Sequence, residues 1–174
     1  MKKVTINIYK FSELSEDVKQ KVLERQYDIN VFGEWWECTY EDAETVGLKI
    51  NEFDIDRGSY CKGEFLLSAN EVAQNILNEH GENCETHKTA DNFMSEWQPV
   101  FNNYMDETHE NYESGELEDE LMDLENEFLN ELLEDYRIML SREFDYLTSD
   151  EAIIETINCN DYDFTGEGEI YARA

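Results

Sequence analysis

Residues 116–135 read ELEDELMDLENEFLNELLED, and this stretch decides how the chain folds. When each residue advances by about 100° around a helix axis, the apolar side chains collect on one side and the acids on the other. A one-sided apolar stripe is typical of a helix that packs on a hydrophobic core. The pattern predicts a helix over 116–146 that buries Leu117, Leu121, Leu124, Phe128 and Leu132.

Seven acids of this predicted helix form an ordered surface. They fall within a sector between about 200° and 320°, away from the apolar stripe. Most of them follow one another at steps of three or four residues, which gives a row about 27 Å long with a mean spacing of about 5 Å. The predicted acidic face consists of Glu116, Asp119, Glu120, Asp123, Glu127, Glu131 and Glu134.

No lysine or arginine lies between Lys88 and Arg137. Like charges four residues apart destabilise a helix by about 0.2–0.5 kcal/mol per pair. Solvent-exposed helix faces usually avoid this cost by placing lysine or arginine between the acids. One interpretation is a solvated face on a generally acidic protein. The other is a binding face for a basic protein. Its charges, at a mean spacing of about 5 Å, resemble those of a DNA strand, which carries one charge per about 3.4 Å of helix axis.

Composition limits the classes of function. The 174 residues carry a net charge of −30, but 40% are hydrophobic, so a folded core is expected rather than disorder. Direct binding to nucleic acid or to an anionic membrane needs basic patches, and the charge argues against both. The start of the chain does not resemble a signal peptide, no apolar run has the length of a membrane span, and the four cysteines form no C-x-x-C pair. A cytoplasmic protein is expected.

The predicted fold class is α+β. Apolar spacing, caps and turns give the element order β-α-α-β-β-α-α-α-α-β, with capping boxes at Ser68–Glu71 and Thr148–Glu151. This order predicts a single domain over 1–174, in which a small antiparallel sheet of about four strands is packed with several helices. Residues 1–87 and 147–174 would form its core. Residues 88–146 would form a long acidic helical hairpin that could project from this core and offer a homodimer surface.

Catalytic and metal-binding patterns are weak. His80, Cys84 and His87 could hold zinc together with a cysteine from elsewhere, but their spacing matches no zinc template, and a surface loop is expected. The sequence has no nucleophile–histidine signature and no glycine-rich phosphate loop, so neither an enzyme nor a cofactor is predicted. Trp35 is a candidate contact residue, because tryptophan is enriched in interface hot spots.

Two stretches carry a family resemblance. The first is an F-x-E-L-S-x-x-x-K-x-K opening at residues 11–21, and the second joins W-W-E-x-x-Y-E-D-A, G-L-x-I and F-D-I-D-R-G over residues 35–58. Together they resemble small acidic proteins encoded by bacteriophages and mobile elements. The resemblance implies a host cell that is bacterial and a role directed against the host or its defences, but no functional residues.

The leading hypothesis is therefore a non-enzymatic inhibitor of a basic nucleic-acid-handling defence protein, such as a CRISPR effector, a restriction enzyme or a nuclease. It would bind by nucleic-acid mimicry through the acidic face. One alternative is an antitoxin-like or assembly partner that recognises shape through apolar groups such as Trp35 and Tyr60. Another is a cation-binding module, since the chain is rich in carboxylates.

Overall fold

A computed structural model describes residues 6–106 and 115–171. The fold is α+β, and these residues contain six α-helices and two antiparallel sheets of two strands each. The chain divides into two compact units. We call residues 36–141 the central unit, and residues 1–35 with 142–174 the terminal unit.

The observed order of helices and strands is the predicted one. The strands are β1 (Ile8–Lys10), β2 (Leu48–Asp54), β3 (Tyr60–Phe65) and β4 (Asp163–Thr165). The helices are α1 (Glu16–Arg25), α2 (Glu37–Val46), α3 (Ala69–Glu79), α4 (Glu85–Tyr104), α5 (Glu116–Leu147) and α6 (Asp150–Cys159). A 3-10 turn at Phe11–Glu13 follows β1.

The prediction of one sheet of about four strands is wrong. β2 pairs with β3 as a hairpin in the central unit, whereas β1 pairs with β4 in the terminal unit. Period-two alternation identifies a strand, but it holds no information about which distant strand becomes its neighbour. Each pair has a hydrophobic cluster of its own, to which helices of the same unit contribute, and a joint four-stranded sheet is not needed to bury the apolar groups.

The central unit is built around the β2–β3 hairpin. Gly47 ends α2 with a φ of +95°, a left-handed conformation that glycine adopts without steric cost, and the chain turns directly into β2. The predicted capping box at the start of α3 is present, with the Ser68 N–H donating to the Glu71 carboxylate at 3.1 Å. Gly63 lies where β3 meets α5, and a Cβ there would collide with the Lys49 carbonyl oxygen and approach Leu133 to 2.9 Å.

Helices α4 and α5 both bury apolar side chains in the core of the central unit. Their contacts pair Thr89 with Asp135, Phe93 with Phe128, and Trp97 with Glu125, so the sequence numbers rise along one helix as they fall along the other. The two helices are therefore antiparallel where they touch. Residues 107–114, which join them, lie outside the described residues, and the projecting hairpin over 88–146 stays a prediction.

The terminal unit joins α1, α6 and the β1–β4 pair around a second cluster of buried residues, which includes Val22, Ile153 and Phe164. Asn30 ties the loop after α1 to this unit, since its amide donates to the Leu147 carbonyl at 2.9 Å and accepts from the Thr156 hydroxyl at 2.6 Å.

The capping box predicted at Thr148–Glu151 is wrong. The Thr148 hydroxyl donates to the Phe144 carbonyl at 2.8 Å and closes the end of α5. The cap of α6 is Ser149 instead, whose hydroxyl oxygen accepts from the Ala152 N–H at 3.3 Å. Threonine is a good N-cap, but its hydroxyl also bonds readily to the carbonyl of the preceding turn, and here the second arrangement prevails.

Candidate acidic binding surface

The predicted acidic face lies on the solvent side of α5. On the opposite side, Leu117, Leu121, Phe128 and Leu132 are buried and Leu124 is half-buried, as the helical projection predicts. The seven acids are all exposed: Glu116, Asp119, Glu120, Asp123, Glu127, Glu131 and Glu134. Their role in binding stays a prediction, but their common orientation is confirmed.

Glu134 departs from the expected pattern, because its charge is compensated. Arg137, one turn further along α5, donates from Nε and from a terminal nitrogen to the two Glu134 oxygens at 2.7 and 2.6 Å. These hydrogen bonds lower the pKa of the Glu134 carboxyl. Arg137 also reaches the Ser59 hydroxyl in the turn of the hairpin at 3.3 Å. The negative surface is therefore weakest at this end of the stripe.

The structure adds an acid from a second helix. Glu96 of α4 lies across a groove from Glu127 and Glu131 of α5, and the three carboxylates surround a cavity of about 300 Å³. We call this space the α4–α5 groove. Its lining is completed by Asn92, Phe93, Leu124 and Phe128. A second cavity of about 430 Å³ shares Asn92 and Glu131 and continues along the same two helices towards Thr89, Asn130, Glu134 and Asp135.

Negative charge accumulates in the α4–α5 groove. Partial burial raises the pKa of Glu131 above its usual range, and the nearby charges of Glu127, Asp135 and Glu96 raise it further. Burial also raises the pKa of Asp135, an effect that the hydrogen bond from the Thr89 hydroxyl at 2.7 Å opposes. Ionised carboxylates in this groove are thus less stable than carboxylates in water, as expected for like charges held close together.

Two acids of α5 face its partner helix rather than the solvent. Glu125 accepts a hydrogen bond from the Trp97 indole N–H at 3.2 Å, and Asp135 accepts from Thr89. Both carboxylates are half-buried. These two acids hold α4 against α5 and have a structural role, which separates them from the exposed acidic face.

His80, Cys84 and His87 do not converge on a common point. The His80 ring bonds through Nδ1 to the Thr86 hydroxyl at 2.8 Å, and its Nε2 lies 3.6 Å from Asp42. Cys84 is exposed and precedes α4. Within residues 6–106 and 115–171, no group of three or more His, Cys, Asp or Glu side chains could hold a metal ion.

His80 instead belongs to a polar network inside the central unit. Asp42 accepts a hydrogen bond from the buried Tyr136 hydroxyl at 2.9 Å. The His80 ring beside it, and then the hydrogen bond from Tyr136, lower the pKa of Asp42 although partial burial opposes the shift. With Thr86, the network connects α2, the end of α3, α4 and α5.

The predicted aromatic contacts are only partly available. Trp35 is half-buried, with its ring centroid 5.6 Å from that of Phe144, and Tyr60 is 37% exposed beneath the Lys62 ammonium group. Phe32 was not singled out from the sequence, yet it is 93% exposed, the largest value among the large hydrophobic residues that the structure describes. Its position directly before Gly33, between α1 and α2, is the signal that could have identified it.

Comparisons with protein-family models, with curated proteins and with solved structures found no match. No helix in the described part of the chain has both the length and the apolarity that a membrane crossing requires.

Proposed function

We propose that this protein is a phage-type inhibitor that binds a basic nucleic-acid-handling defence protein of a bacterial host by nucleic-acid mimicry. The observation that carries the proposal is the exposed row of acids on α5, which Glu96 extends across the α4–α5 groove. The proposal assigns no catalytic step to the protein. Its action would be to occupy lysine and arginine side chains that otherwise contact phosphate.

The energetic argument is that the acidic face destabilises the free protein. Glu127 and Glu131 stand four residues apart on α5, as do Glu131 and Asp135, and such like-charged pairs each cost about 0.2–0.5 kcal/mol. A basic partner would remove this repulsion on binding. Opposite fields of this kind also raise association rates to about 10⁸–10⁹ M⁻¹s⁻¹ at low salt, and the gain disappears as salt increases.

The test is charge reversal on the acidic face. Glu120, Asp123, Glu127 and Glu131 are replaced together by lysine, and the variant is compared with the wild type for competition with DNA on a panel of purified CRISPR effectors and restriction nucleases. We expect the wild type to displace DNA from at least one of these proteins at low salt and the variant to have lost this ability. The same pair of genes, expressed in a defended bacterium, should differ in phage plating efficiency.

A matched control separates the face from the net charge. Reversal of Glu24, Glu41, Glu44 and Glu155 changes the net charge by the same amount at exposed positions on other helices. Inhibition should survive in this control. Inhibition that persists undiminished after reversal of the α5 acids, or that is lost equally in both variants, would show that the mimicry proposal is wrong.

A second candidate function is recognition of a protein partner through apolar contacts, as in an antitoxin-like or assembly protein. The exposure of Phe32 favours it, because a large aromatic group in water is a typical anchor for a partner's pocket. The two functions differ in salt dependence. Binding that persists at about 1 M salt, where the Debye length is about 3 Å, and that is lost in Phe32→Ala would favour apolar recognition.

A further inference from the structure

The α4–α5 groove combines an apolar floor with acidic walls. The floor is formed by Leu124 and by Phe93 and Phe128, whose rings stack with centroids 4.3 Å apart. Both rings are almost fully buried, whereas Leu124 is half-buried. The walls carry the Glu96 carboxylate on one helix and the Glu127 and Glu131 carboxylates on the other.

This combination selects for one kind of cationic side chain. Arginine has a planar guanidinium with five N–H donors in a fixed fork, and it is more weakly hydrated than the lysine ammonium. Its methylene stem can lie along apolar surface while its head meets carboxylates. A cavity of about 300 Å³ that is lined by Leu124 and by glutamates of two helices can receive such a side chain and matches its charge.

We propose that the α4–α5 groove receives an arginine side chain of the basic partner. The stem lies over Leu124, and the guanidinium bridges Glu96 on α4 and Glu131 on α5. The inference rests on the proposed function for the source of the arginine, and it adds the class of contact that the partner makes.

The groove lacks a counter-charge of its own. In the part of the chain that the structure describes, no ion pair involves Glu96, Glu127 or Glu131. Partial burial raises the pKa of Glu131, and the charges of Glu127, Asp135 and Glu96 raise it further. An arriving guanidinium would therefore meet glutamates that line the cavity and would relieve their mutual repulsion.

The experiment compares two capped peptides of equal charge, one of six arginines and one of six lysines, by calorimetric titration into the full chain. The planar fork of arginine can donate to carboxylates of both helices at once, whereas lysine is a point charge, so we expect the arginine peptide to bind about tenfold more tightly. Glu96→Gln should abolish this preference. Glu120→Gln removes one charge from the acidic face outside the groove, and it should preserve the preference. Circular dichroism confirms that both variants are folded.

Equal affinity for the two peptides would overturn the groove assignment, as would a preference for arginine that survives in Glu96→Gln. The assignment would also be wrong if Ca²⁺ or Mn²⁺ bound tightly and displaced the arginine peptide, because the groove would then be a cation site. If both peptides bind alike and depend on the α5 acids, the groove is wrong and the proposed function stands. If arginine selectivity depends on Glu96 but no nucleic-acid-handling protein is inhibited, the proposed function is wrong and the groove stands.

Discussion

Replacing Glu131 by glutamine should make the free protein more stable. Glu131 faces Glu127 and Asp135, each four residues away on α5, and Glu96 across the groove. Relief of the two helical repulsions is worth about 0.4–1 kcal/mol, counting each at about 0.2–0.5 kcal/mol. For a chain of this size, about 1 kcal/mol moves the melting temperature by about 2–4 °C. We expect the melting temperature of Glu131→Gln to rise by about 1–4 °C at pH 7.

The pH dependence tests the cause. Because the folded pKa of Glu131 is raised, its ionised form is disfavoured in the folded state, and the wild type loses stability as pH rises from the ordinary carboxyl pKa through the folded value. The advantage of Glu131→Gln should therefore be larger at pH 7 than near the ordinary carboxyl pKa, because the folded wild type takes up a proton more readily than the unfolded chain as pH falls.

Calorimetry at several pH and salt values provides the measurement. The control is Asp91→Asn, an exposed position within α4 that has no acid three or four residues away, and it should leave the melting temperature unchanged or slightly lower. At about 1 M salt the gain from Glu131→Gln should diminish, since the Debye length is then about 3 Å. A gain that is independent of pH and salt, or a loss of stability, would refute the electrostatic explanation.

Three further substitutions test the packing and the polar contacts. Gly63→Ala should lower the free energy of unfolding in urea by about 1–3 kcal/mol, because the added methyl collides with the Lys49 carbonyl oxygen of β2 and overpacks the contact with Leu133 of α5, whereas Gly81→Ala, with open space around it, should not. Tyr136→Phe removes a donor to Asp42, so we expect a loss of about 1–2 kcal/mol at pH 7. The lowered pKa of Asp42 contributes stability that is present above about pH 4 and is lost as pH falls through the folded value. Because the Tyr136 hydroxyl contributes to this lowering, Tyr136→Phe should also unfold at a higher pH than the wild type when the solution is acidified. Asn30→Ala should cost about 1–3 kcal/mol by thermal unfolding, because it breaks the link between the loop after α1 and the end of α5.

Local patterns were sufficient for the order of elements. The turn at Gly47, the cap at Ser68 and the apolar stripe of α5 depend on residues within a few positions of one another, and each could be read directly from the sequence. The compensation of Glu134 by Arg137 is also local. Arg137 ends the stretch without lysine or arginine, yet it lies only one helical turn from Glu134 and pairs with it.

Long-range relations could not be read in the same way. The pairing of β1 with β4 joins the two ends of the chain, and the approach of Glu96 to Glu131 joins two helices. Neither contact produces a periodic pattern in the sequence, because packing across the whole unit decides which surfaces come together. The acidic face could therefore be predicted, whereas the groove beside it could not.

The network of Asp42, His80, Thr86 and Tyr136 has a consequence for the alignment of α5. Leucines recur along this helix so regularly that a shift by one turn, about 5.4 Å, would place a similar apolar surface against the core. Such a shift would carry the Tyr136 hydroxyl away from Asp42 and leave a buried polar group without its hydrogen bond. The network thus selects one register of α5 among several that would pack similar apolar surface against the core. It thereby fixes where along the molecule each carboxylate of the acidic face lies.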